Sequence, residues 1–89
     1  MEIRFTQEAL DDLSYWKKTG NKQILSKIGR LLEDIAAHPY TGIGKPEALR
    51  FELAGHRSRR INLEHRIVYR VENNCIVVVV ISMRFHYKN

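Results

Sequence analysis

Glu47, Arg50, Arg59, Arg60, His65 and Arg66 fall within one stretch of twenty residues, and Arg84-Phe85-His86-Tyr87 follows near the end of the sequence. Carboxylate, imidazole and several guanidiniums together supply a base, an acid and a cradle for an anion. That inventory points to phosphate chemistry. RNA carries its own nucleophile in the 2′-hydroxyl, so its cleavage needs neither a metal nor an activated side chain. It needs a base to take the 2′-proton, cations to hold the pentacovalent phosphorane, and an acid to protonate the departing 5′-oxygen. Glu47 suits the base, Arg60 and Arg66 the cations, and His86 the acid. Lys45, Arg50 or Arg59 can help to hold the phosphates of the RNA, and Tyr87 can stack on a base.

Taken singly, most of these residues have an ordinary explanation. A glutamate in a loop is usually a solvated charge, and arginines on a sheet usually pair with carboxylates. His86-Tyr87 is harder to dismiss, because it follows a stiff apolar segment and does not sit in a loop. Other chemistries fare worse. Gly42-Ile43-Gly44-Lys45 lacks the second half of a phosphate-binding loop, with Pro46 after the lysine and a helix ahead of it. Its expected task is to hold Glu47 at a fixed place, with Pro46 limiting the backbone. His38, His56, His65 and His86 are scattered without metal-ligand spacing, and no serine sits in a nucleophile-elbow context. The expectation is a reaction without metal or cofactor.

The elements that must position these groups follow from periodicity. Glu2 to Phe5 alternates and reads as a strand. Thr6 is a candidate N-cap for a helix running to about Thr19, with Ala9, Leu13 and Trp16 inward and Gly20 ending it. Asn21 can cap a second helix, whose Ile24, Leu25, Ile28, Leu31, Leu32 and Ile35 form one apolar stripe. Pro39 stops that helix, and residues 40–48 form a loop. From Leu49 the period becomes two: Leu49–Leu53, Arg59–Leu63 and Arg66–Val71 read as strands, with turns at Ala54-Gly55-His56 and Asn73-Asn74. The β-branched run to Ile81 reads as a last strand, buried on both faces. The predicted class is α+β, in the order β-α-α-β-β-β-β, with two helices on a twisted, mainly antiparallel sheet. Arg60 and Arg66 share a face only if their hairpin loop is odd or bulged; a three-residue loop satisfies this, with Ile61 and Leu63 toward the helices.

The 89 residues suit a single domain, 1–89. The formal charge of +5 is lopsided. Residues 1–44 balance six cations with six anions, whereas residues 45–89 carry nine cations against four anions, and seven of the nine are arginine. Such an excess fits a nucleic acid or an acidic protein partner, and the planar guanidinium favours phosphate. The lone Cys75 excludes an internal disulfide. No apolar leader opens the sequence, and Cys75 to Ile81 is too short to span a bilayer, so a cytoplasmic protein without membrane contact is expected.

Several motifs then interlock: Asp11-Asp12 with Tyr15-Trp16, Gly44-Lys45-Pro46-Glu47 with Leu49, Gly55, Ser58-Arg59-Arg60-Ile61, Glu64-His65-Arg66 with Val68-Tyr69, and His86-Tyr87. With these the chain resembles the YoeB-type toxins of the RelE superfamily of ribosome-dependent messenger-RNA endonucleases. The resemblance spans nearly the whole length. It implies a RelE-like domain that enters the ribosomal A site and cuts translated mRNA, leaving a 2′,3′-cyclic phosphate and a 5′-hydroxyl. It also implies Glu47 as general base, His86 as general acid and Arg66 as transition-state stabiliser, with Arg50, Arg60 and Tyr87 contacting phosphate and RNA. The implied partners are the ribosome with mRNA, an acidic antitoxin of the Phd/YefM type, and a second copy in a homodimer. Two departures stand out: Arg57 replaces an aromatic residue of the family, and Lys88-Asn89 extends past the tyrosine. The rival readings are a ParE-like gyrase inhibitor, which has no need of Glu47, Arg66 and His86 together, and a non-catalytic basic RNA- or protein-binding module.

Overall fold

Two side-chain caps and one glycine lay out the helical half of the protein. The Thr6 hydroxyl accepts the Ala9 N–H at 3.1 Å, the Asn21 side chain accepts the Ile24 N–H at 3.1 Å, and Gly20 turns the chain between them with φ +68°. Each cap satisfies an amide that the first helical turn leaves without a carbonyl. The computed structural model describes residues 1–81. Its elements are β1 (Glu2–Phe5), α1 (Gln7–Thr19), α2 (Lys22–Ala37), β2 (Glu47–Ala48), β3 (Arg57–Arg60), β4 (Arg66–Glu72) and β5 (Cys75–Val80), with a single 3-10 turn at Phe51–Leu53. His86, Tyr87 and the Lys88-Asn89 extension lie outside the described residues.

The five strands form one sheet in the order β1-β5-β4-β3-β2, antiparallel except for the parallel pair β1–β5. Both helices pack on one face. Ala9, Trp16, Ile24, Ile28, Leu31 and Ile35 meet Ile61, Ile67, Tyr69, Ile76, Val78 and Ile81 in the main core. On the face away from the helices, Leu49, Val68 and Val80 form a smaller cluster. The expected α+β architecture is therefore present, and β5 is buried on both faces as its β-branched composition requires.

Two strand expectations need correction. Leu49, Phe51 and Leu53 alternate, but they do not form a strand. Pairing starts two residues earlier, at Glu47 opposite Ser58, and Phe51 enters the 3-10 turn with φ +58° and 74% exposure. Leu49 alone anchors the segment in the smaller cluster, so one buried side chain satisfies what alternation had suggested for three. The second correction is Leu63, which lies at the β3–β4 hairpin tip, 95% exposed, while Ile61 is in the core. Ile61 N–H bonds the His65 carbonyl at 2.9 Å, so three residues make the crossing, and Asn62 Oδ1 accepts the amides of Glu64 and His65. The loop has the odd length that the arginine pair demanded.

The end of β5 is held with particular care. Val68 pairs with Val80 and Tyr69 with Val78, leaving Val79 as an extra residue in a bulge. Three bonds from the start of α1 meet this bulge: Thr6 N–H to the Val78 carbonyl at 2.9 Å, the Thr6 hydroxyl to the Val79 carbonyl at 2.6 Å, and Ile81 N–H to Asp12 Oδ2 at 3.0 Å. The bulge lets Val79 and Val80 both pack on the smaller cluster and returns Ile81 to the main core.

Candidate active site

β3 is a four-residue strand whose every position has a separate task. In its antiparallel register with β4, Arg57 faces Tyr69, Ser58 faces Val68, Arg59 faces Ile67 and Arg60 faces Arg66. Directly opposed residues share a face, and successive residues alternate. Arg60, Arg66 and Ser58 therefore lie on the face away from the helices, joined there by Glu47, which pairs with Ser58 across β2. Three strands bring four polar side chains to one patch.

Within that patch Arg66 Nη1 donates to Glu47 Oε1 at 2.9 Å and lies 3.4 Å from Ser58 Oγ. The Glu47 side chain is 53% exposed, against 19% for Arg66. The cation is thus set into the sheet while the carboxylate reaches outward. Arg60, directly across from Arg66, puts a second arginine on the same face. Like charges in opposed positions repel, and an anion lying between them would relieve this. Lys45 and Arg60 line a concavity of about 430 Å³ with Leu63 at its margin. Glu47 and Arg50 share the wall of a smaller hollow of about 260 Å³. Five of the expected residues, Lys45, Glu47, Arg50, Arg60 and Arg66, thus gather around β2 and the adjoining ends of β3 and β4.

Arg59 does not join them. It is fully buried on the helix side, where all five guanidinium N–H groups have acceptors. Nε donates to the Tyr69 hydroxyl at 3.2 Å, Nη1 to Asp34 Oδ2 at 2.6 Å and the Ile43 carbonyl at 2.9 Å, and Nη2 to the His38 and Thr41 carbonyls at 2.6 and 2.9 Å. A saturated, dehydrated guanidinium has nothing left for phosphate. The expectation that Arg59 binds RNA is therefore replaced by a structural role. Hydrogen bonding from Arg59 holds the Asp34 carboxyl below the usual range, and the Ile43 N–H acts in the same sense. Arg57, the departure noted in the sequence, stacks its guanidinium 4.7 Å from the centre of the Tyr40 ring, a cation–π contact.

Sequence reasoning missed Asp34 and Ser58. Asp34 borders the apolar stripe of α2, next to Ile35, and a carboxylate at that edge signals an inward cation. Ser58 is set by the register of Glu47, which only the β2–β3 pairing discloses.

The sequence profile of YoeB-like toxins of bacterial type II toxin-antitoxin systems matches residues 5–87. The chain belongs to this family. It is 43% identical to the toxin YoeB of Synechocystis over 99% of each chain. A YoeB/ParE toxin from Agrobacterium tumefaciens superposes with a TM-score of 0.89 at 37% identity, covering 98% of this chain and all of the other. YoeB of Staphylococcus aureus, solved both in a heterotetrameric complex with YefM and as a dimer, superposes with a TM-score of 0.84 at 40% identity over 98% of each chain. As a YoeB-like toxin, the protein carries the two-helix, five-stranded arrangement of those relatives.

Proposed function

We propose that this YoeB-like toxin is a ribosome-dependent mRNA endoribonuclease. Glu47 takes the proton from a ribose 2′-hydroxyl, and the freed oxygen attacks the adjacent phosphorus. The bond to the 5′-oxygen then breaks as His86 protonates the leaving group, giving a 2′,3′-cyclic phosphate and a 5′-hydroxyl. Arg66 and Arg60 carry the charge that builds on the phosphorane, where fixed donors act most strongly. Lys45, Arg50 and Tyr87 contact the neighbouring RNA. The observation that carries the reading is the Glu47 carboxylate 2.9 Å from Arg66, on the sheet face that also bears Arg60. No metal or cofactor enters the reaction.

The proposed setting is the cytoplasm, on translating ribosomes. The complex and the dimer of the Staphylococcus aureus relative support two partners here: an acidic antitoxin of the Phd/YefM type and a second copy of the chain. Among the described residues no helix is long and apolar enough to cross a membrane.

The test is induced expression of the wild type and of a Glu47→Ala/His86→Ala variant, with transcript ends mapped in each. Cuts confined to translated regions, and lost in the variant, support the proposal. Growth arrest by the variant, with intact transcripts in both strains, turns the reading toward a gyrase inhibitor or a non-catalytic basic module.

A further inference from the structure

From the arrangement around Arg59 we infer that it is a positioning residue for the reaction: with Asp34 it fixes the strap from His38 to Gly44 so that Lys45 reaches the phosphate and Glu47 the 2′-hydroxyl. This rests on Glu47 being the general base. The strap is the only link between the end of α2 and β2, and its sequence offers little to hold it. It contains two glycines and runs into Lys45, which itself sits at φ +52°. Without an external frame such a segment samples many conformations.

β3 and β4 supply the frame. Arg59 takes the carbonyls of His38, Thr41 and Ile43. Tyr69 donates its hydroxyl to the Pro39 carbonyl at 2.7 Å while accepting from Arg59, and Arg60 N–H takes the Gly44 carbonyl at 2.6 Å. Five of the seven strap carbonyls, from His38 to Gly44, are thereby held by three residues of the sheet. Asp34 completes the frame from α2 by accepting both Arg59 and the Ile43 N–H.

The fit leaves little slack. A Cβ on Gly42 would lie 1.9 Å from Asp34 Oδ2, and one on Gly44 would lie 2.8 Å from Leu31 and 3.1 Å from the Arg60 carbonyl. Both glycines are at positive φ, so they are needed for backbone shape as well as for space. Three residues beyond Gly44 the chain reaches Glu47, whose carboxylate must stand against the 2′-hydroxyl within a fraction of an ångström. The same strand thus works in both directions. Arg59 anchors the strap from beneath, and Ser58 and Arg60 align the residues that follow it.

Asp34→Asn keeps the size and one acceptor while removing the charge, and Gly42→Ala wedges the strap from Asp34 without altering any charge. Each is read by amide hydrogen exchange and by cleavage of ribosome-bound mRNA. The expected result is faster exchange at Ile43 and Arg60 beyond any uniform loss of protection shared with β4 and β5, and kcat lower by about 10²-fold with KM within about threefold. A merely structural role would move global protection and leave kcat alone. Faster strap exchange with wild-type kcat overturns the inference, as does unaltered exchange in both variants. If Asp34→Asn does not fold, Gly42→Ala decides alone. If the wild type leaves mRNA intact, the nuclease reading is what fails, and the exchange measurement still decides whether Arg59 fixes the strap.

Discussion

Two of the arginine–carboxylate pairs, Arg59–Asp34 and Arg66–Glu47, lie on opposite faces of one sheet and resemble each other only in chemistry. Arg59–Asp34 closes at 2.6 Å with the guanidinium wholly buried and the carboxylate 22% exposed. Arg66–Glu47 closes at 2.9 Å with the carboxylate half in solvent. The first guanidinium is saturated by five acceptors, three of them strap carbonyls, so its charge serves to hold the fold. The second meets a carboxylate and the Ser58 hydroxyl on the open face, across the register from Arg60. Burial decides which arginine is scaffold, and the reagent role proposed for Arg66 belongs to the open face. A single-residue step along β3, from Arg59 to Arg60, crosses that divide.

The largest effect should come from breaking the buried pair. Arg59→Ala leaves strap carbonyls and a carboxylate without their donor and should cost about 3–5 kcal/mol, read as a lowered midpoint in urea. Glu47→Gln, the corresponding change on the other face, should cost less than about 1 kcal/mol yet slow cleavage by about 10²–10⁴-fold, measured in single turnovers on ribosomes. If the two substitutions shift the urea midpoint equally, the contrast between scaffold and reagent is wrong. Acid should sharpen it further. Asp34 is held below its ordinary 3.8 by Arg59, so the folded state gains from the ionised form above that value. That stability is lost as pH falls below 3.8 through the lowered folded value. Glu72, lowered by Arg70, contributes to the same limb in both proteins. The difference in unfolding free energy between wild type and Asp34→Asn should therefore shrink as pH falls through this range. Smallest of all, Leu63→Ser at the hairpin tip between the two arginine faces should change stability by less than about 0.5 kcal/mol, checked by thermal unfolding.

Much of the fold could be read from the chain because local signals agreed with tertiary packing. Thr6, Gly20 and Asn21 cap where their chemistry says they should. The asparagines at 73 and 74 both adopt positive φ, as a tight hairpin turn requires. Of the residues expected to do chemistry, Lys45, Glu47, Arg50, Arg60 and Arg66 are brought together. The failures were of register. Residues two apart share a face, so placing Ile61 in the core also placed Arg59 there, and charge alone had argued the reverse. Leu49 to Leu53 failed for another reason: alternation over five residues cannot reveal that a positive φ at Phe51 bends the chain into a turn.

The parallel pairing of β1 with β5 has a consequence for birth as well as for shape. Glu2 lies beside Cys75, so β1 has no partner strand until β5 has been made. A nascent chain can form α1 and α2 early, since their contacts are local, whereas the β1–β5 pairing joins residues more than seventy apart. Closure of the sheet along its β1 edge is thereby tied to the arrival of residues 75–80.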